Sequence, residues 1–187
     1  MAHLLYDCEY LFSMQSITPI TIIELTIGND ICEGDFLPIK WAISNNIVDI
    51  QFTKVATRSI DCLVYLHKNK CPWNEETCAE AARNGYLDCL IYAHENGCRW
   101  DETTCYSAAE NGHLDCLIYA HENGCRWDER TCWIAAANGH LDCLIYAHEQ
   151  GCPQNILTCF VAAKNGHLDC LKYLHEEGCG WDKTTVI

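Results

Sequence analysis

Cys89-Leu-Ile-Tyr-Ala-His-Glu-Asn-Gly-Cys98-Arg-Trp-Asp101-Glu-Thr-Thr-Cys105-Tyr-Ser-Ala-Ala-Glu-Asn-Gly112-His-Leu-Asp115 is followed without a gap by a second copy of itself, residues 116–142, identical at 23 of 27 positions. The 27-residue step extends in both directions. Cys62, Cys89, Cys116, Cys143 and Cys170 form one column, Cys71, Cys98, Cys125, Cys152 and Cys179 a second, and Cys78, Cys105, Cys132 and Cys159 a third. Five His (67, 94, 121, 148, 175) and five Tyr (65, 92, 119, 146, 173) keep the same step. A repeat of this length signals a solenoid, in which each unit buries its apolar face only against its neighbours.

Within one unit, Asp101 is a helix N-cap, Glu102 suits the first turn, and Asn111-Gly112 supplies a left-handed stop. A second helix runs from the Leu-Asp that follows His113 to Asn123-Gly124. Asn74, Asp101, Asp128, Asn155 and Asp182 occupy the same cap position, so the spacing predicts a chain of helix–turn–helix units with very short connections.

The rest of the composition narrows the partners. A formal charge of −14 over 187 residues disfavours nucleic acid, because binding phosphates releases counterions through Lys and Arg. There is no apolar run of about 18 residues, and Asp7 and Glu9 stand where a signal peptide is basic. The expectation is an intracellular, cytoplasmic protein that meets no membrane and keeps its 16 cysteines reduced.

Ala108-Ala109-Glu-Asn-Gly112-His113-Leu114-Asp, with the apolar run to Glu122-Asn-Gly124, resembles the ankyrin repeat family, over residues 62–187. The family unit has about 33 residues, so about six are missing between the closing Gly and the next helix, where the family places its β-hairpin. The 27-residue unit is similar to the short ankyrin-like repeats that large DNA viruses of amoebae carry in many copies. The resemblance implies an all-α ankyrin-like solenoid without long hairpins, a non-enzymatic protein-binding role, and first helices that line the face used for partners. In a viral setting that location is the host cytoplasm and the partner a host factor.

The four positions at which residues 89–115 and 116–142 differ are Thr103/Arg130, Tyr106/Trp133, Ser107/Ile134 and Glu110/Ala137. They are i, i+3, i+4 and i+7 of the first helix, one helical face. The following unit varies at the same places, with Leu157, Phe160, Val161 and Lys164. Drift of solvent-exposed positions accounts for Ser107 and Lys164, but not for Tyr106, Trp133, Ile134, Phe160 and Val161, an apolar cluster that monomers rarely leave open. These twelve residues are the candidate partner-binding site, since large aromatics concentrate at interface hot spots. The Ile91, Ile118 and Ile145 stripe, ending in Lys172, is either a second contact face or core.

The Cys and His columns admit another reading, a zinc-stapled structural module. Cys116, His121, Cys125 and Cys132 make a set suited to tetrahedral Zn²⁺, as does Cys105 with Cys116, His121 and Cys125, and the count does not choose between them. Geometry opposes both: Cys116 and Cys125 on one regular helix lie roughly 13 Å apart along the axis. Two thiolates on one zinc need sulfurs about 4 Å apart. The alternative, which we favour, places the Cys and His columns in the core, the thiols as small hydrophobes, with no metal and no cofactor. Strict periodicity argues for scaffold and against catalysis, which needs one singular environment. His113, His140 and His167, with Tyr86 in their column, are expected to bond backbone at the Gly-His-Leu turn.

Residues 37–61 form a degenerate unit and residues 1–36 an irregular cap, with Ile20–Ile27 as a short strand or hairpin. The last unit stops after the start of a helix at Asp182, leaving an end available for self-association, so a self-assembling structural component is a further reading.

Overall fold

The structure, a computed structural model, describes residues 37–44, 53–54, 56–153 and 156–179. The Ile20–Ile27 strand or hairpin and the Asp182 cap lie outside those residues. The chain divides into two compact units, Met1–Trp73 and Asn74–Ile187, a division that falls inside the repeat region. Among the described residues every regular element is a helix.

The first unit contributes α1 (Leu37–Ser44) and α2 (Ile60–Lys68). Ser59 caps α2 by accepting from the Cys62 backbone N–H, and Cys62, Leu63 and Leu66 are buried on its inner face. Where the later units close this helix with Gly, the first has Lys70 at φ 61°, a left-handed position that costs a non-Gly residue about 1 kcal/mol.

Among its described residues the second unit holds four helix pairs: α3 (Glu75–Arg83) with α4 (Leu87–Glu95), α5 (Glu102–Glu110) with α6 (Leu114–Glu122), α7 (Glu129–Asn138) with α8 (Leu141–Glu149), and α9 (Ile156–Lys164) with α10 (Leu168–Glu176). The caps follow the sequence. Asp101 accepts from Thr103 N at 3.0 Å and Asp128 from Arg130 N at 3.0 Å, each satisfying an amide that the helix leaves without a carbonyl. At the other end Asn111 Nδ2 donates to Ser107 O at 3.0 Å, and the His113 N–H to Ala108 O at 2.9 Å, closing the helix on Gly112 at φ +75°.

The pairs stack first helix on first helix and second on second. Ala81, Ala82, Ala108, Ala109, Ala135 and Ala136 are fully buried, and their small side chains let the first helices approach closely. Leu90, Leu117 and Leu144 fill the layer beneath with no exposed surface, each contributing about 1.5–3 kcal/mol. Cys89, Cys116 and Cys143 lie beside them, at most 3% exposed.

The turns lock one unit to the next. The His140 ring lies against Gly112 of the preceding unit, and its Nε2–H donates to Glu110 O at 3.1 Å. His113 lies against Gly85 and His167 against Gly139 in the same way. His140 does engage backbone, and that bond crosses the repeat boundary.

Candidate functional site

The variable positions form a band along α5, α7 and α9. Thr103, Arg130 and Lys164 are exposed, Tyr106, Glu110, Trp133, Ala137, Phe160 and Val161 are half-buried, and Leu157 is 54% exposed. Ser107 and Ile134 depart from the expectation of an open face, at 1% and 7% exposure. Both are the i+4 member of the stripe, which turns into the seam between adjacent first helices. Ser107 Oγ there accepts from Arg83 of α3 at 3.4 Å. They shape the seam and offer no surface to a partner.

The band changes character along its length. At the α3–α5 end Arg83 bridges Glu80 and Glu110, each at 3.4 Å, so its charge is shared between two units. The Tyr106 hydroxyl lies among these groups, and burial pushes its pKa up. Arg130 bonds Asp128 at 2.8 Å and Glu102 of the preceding unit at 3.6 Å. Beyond Arg130 the band is Trp133, Ala137, Leu157, Phe160 and Val161, apolar until Lys164. A polar, ion-paired half thus adjoins an apolar half.

The His column is not core. His94, His121 and His148 are half-buried, in a ladder of rings that the sequence reading did not assemble. His94 stacks on Trp100 at a centroid distance of 3.7 Å, and His121 on Trp127 at 3.7 Å. The hydroxyl of the next unit's Tyr reaches each His: Tyr119 to His94 Nδ1 at 3.0 Å, Tyr146 to His121 Nδ1 at 3.1 Å, and Tyr173 to His148 Nδ1 at 2.6 Å. Trp73, Trp100 and Trp127 share the 27-residue step, a signal that was present in the sequence. The imidazole escapes the core because its ring nitrogen needs a partner that only the neighbouring unit supplies.

Burial lowers the His121 pKa, with Glu122 opposing. The folded state therefore favours the neutral ring, and its stabilising share is complete above the unfolded His pKa of about 6.5 and lost as pH falls through the folded value. The urea midpoint is expected to be higher at about pH 7.5 than at about pH 5.5, and the difference to shrink in His121→Asn. An equal midpoint at both pH values contradicts this.

The cysteines divide into two environments. Cys116 and Cys143, in the second helices, are pushed up to about 11 and about 12 by burial, then by Asp115 and Asp142 beside them. The third-column and linker cysteines instead meet in pairs within a unit: Cys78 with Cys98, Cys105 with Cys125, and Cys132 with Cys152. Cys159 and Cys179 form a disulfide, which corrects the expectation that all thiols are reduced. Their side chains face each other across a turn that brings the end of the unit back onto its first helix. Among the described residues no three His, Cys, Asp or Glu converge to hold a metal ion.

A cavity of about 250 Å³ lined by Gly85, Leu87, Gly112, His113, Leu114, Asp115 and Cys116 lies at the turns, away from the variable band. Ile91, Ile118 and Ile145 are half-buried on the second helices, and Lys172 is exposed with its Nζ 3.5 Å from Asp169. Among the described residues no helix is long and apolar enough to cross a membrane.

No protein-family profile and no curated protein matches the chain. Among solved structures, the human ASB11 ankyrin repeat domain is similar, with a TM-score of 0.61 and 19% identity over 68% of this chain and 69% of that one. The stacked helix pairs and this likeness together establish the fold as an all-α ankyrin-like solenoid.

Proposed function

We propose that the chain is a non-enzymatic interaction scaffold that binds a protein partner along the variable band of its first helices. Trp133, Leu157 and Phe160 serve as apolar anchors, and Arg130 with the Arg83–Glu110 pair flanks them. The observation that carries this reading is the confinement of the four differences between residues 89–115 and 116–142 to one helical face, three of them at exposed or half-buried positions (103/130, 106/133, 110/137) and one, Ser107/Ile134, in the seam. An apolar cluster exposed as Leu157 is on that face fits burial against another protein. The negative charge favours a partner with basic groups beside an apolar segment. The likeness of the 27-residue unit to repeats of large DNA viruses makes a cytoplasmic host protein the natural partner class.

The near-identity of the two units supplies the test. The fourfold variant Arg130→Thr, Trp133→Tyr, Ile134→Ser, Ala137→Glu turns residues 116–142 into a copy of residues 89–115, a sequence already used within this stack. It is expected to keep its far-ultraviolet circular dichroism and to lose the proteins that the unaltered chain captures. The outer-face variant Ile118→Ser/Ile145→Ser should retain them. Capture unaffected by the fourfold change contradicts the proposal.

A further inference from the structure

Each unit of the second half holds two cysteines exactly twenty residues apart in sequence, one in the first helix and one in the linker that closes the unit. In the last described unit these two, Cys159 and Cys179, are bonded. In the three preceding units the equivalent residues are the thiols Cys78 and Cys98, Cys105 and Cys125, and Cys132 and Cys152. We propose that these three pairs are sites of oxidative modification, each closed by a peroxide into a disulfide that clamps the end of a unit onto its own first helix.

The placement of the linker sulfur carries the argument. Cys98 Sγ lies 3.1 Å from Asn74 O, Cys125 Sγ 3.0 Å from Asp101 O, and Cys152 Sγ 3.2 Å from Asp128 O. Each of those carbonyls belongs to the N-cap of the first helix in the same unit. The linker sulfur therefore sits at the first turn of the helix that bears its partner thiol, 24 residues upstream of the linker. Three units share this geometry, and in the fourth the two equivalent cysteines are bonded, so the register is set by the repeat and not by chance approach of two thiols.

The pair also divides the chemical labour. Cys125 receives the Cys105 thiol hydrogen bond and the Cys105 backbone N–H, both of which favour its thiolate against the opposing effect of burial. Cys105 is pushed up, first by that same bond and then by burial. Cys98 and Cys152 stand to Cys78 and Cys132 as Cys125 does to Cys105. The linker cysteine, 3–4% exposed where the helix cysteine is fully buried, is the thiol that peroxide reaches first and so the nucleophile, with the helix cysteine the resolving thiol. The thiolate of Cys125 attacks one oxygen of hydrogen peroxide, the O–O bond breaks, and the hydroxide that leaves takes up the proton lost from Cys125 to become water. The resulting sulfenic acid is attacked at sulfur by Cys105, whose proton joins the departing hydroxyl as a second water. Two thiols are oxidised by two electrons in all, and the peroxide is reduced to two waters. Peroxide is small enough for thiols that are only 3–4% exposed, behind a linker whose Arg99 and Arg126 are exposed.

The test uses the full chain, reduced and then treated with hydrogen peroxide, with remaining thiols alkylated before digestion without reductant and mass mapping. Cross-linked peptides joining Cys78 to Cys98, Cys105 to Cys125 and Cys132 to Cys152 are expected, together with a thermal midpoint that rises on oxidation and returns with dithiothreitol. In Cys125→Ser, Cys105 should stay open to alkylation while the other two bridges still form. Sulfinic acids in place of bridges, pairing across units such as Cys98 with Cys105, or thiols shielded by zinc that co-purifies would each overturn the proposal. If the Ser variant does not fold, the map of the unaltered chain still decides.

Discussion

Gly112→Ala lowers stability by about 3 kcal/mol, more than a surface substitution usually costs. Two independent effects add. The residue sits at φ +75°, where any side chain strains the backbone by about 1–2 kcal/mol. The new Cβ would also stand 2.5 Å from His140 Nδ1 and 2.9 Å from its Cγ. That ring cannot swing aside cheaply, because its Nε2–H is bonded to Glu110 O. Gly124→Ala is the control: φ is +88° but nothing lies within 4 Å of the added atom, so only the backbone cost of about 1–2 kcal/mol remains. Urea denaturation of both variants separates the two effects, and adding His140→Ala to Gly112→Ala should recover the steric part. Equal losses in Gly112→Ala and Gly124→Ala contradict the stacking of His on Gly as a determinant of the repeat step.

Trp133→Ala with Phe160→Ala weakens partner binding by about 4 kcal/mol, on the order of a thousandfold. Both rings stand on neighbouring first helices and are half-buried, so truncation removes the contact area proposed for the partner without emptying the core. The fully buried Leu117 and Leu144 are untouched, and helical content should remain. The measurement is titration calorimetry with a captured partner, alongside circular dichroism. A change of less than about threefold would place the anchors elsewhere. Because the two helices pack on each other, the single substitutions need not sum to the double.

Local chemistry was legible in the sequence and inter-unit chemistry was not. Asp101, Asp128 and Gly112 declare themselves because a cap or a left-handed stop depends on a few consecutive residues. Helix boundaries, the stacking of units and the turn role of His140 followed. Ser107 and Ile134 read as open-face positions because helical periodicity gives an angle around one helix and says nothing of how closely its neighbour approaches. The expectation of His121 in the core rests on its column alone, which shows no neighbour from another unit. Its partners Trp127 and Tyr146 lie on the linker and on the next second helix, and their meeting depends on the stacking distance. The same limit applied to the cysteines. Counting offers Cys/His quartets that helix spacing already opposes, yet only the turn geometry shows that Cys105 meets Cys125 while Cys116 stays in the second-helix layer.

The central claim is that the partner lies on the variable band. Hydroxyl-radical footprinting of the chain alone and with a captured partner tests it at the side chains themselves. The account predicts that oxidation of Trp133, Leu157 and Phe160 slows on binding while Ile118 and Ile145 on the second helices react as before. Protection of the Ile residues with Trp133, Leu157 and Phe160 unchanged would contradict it.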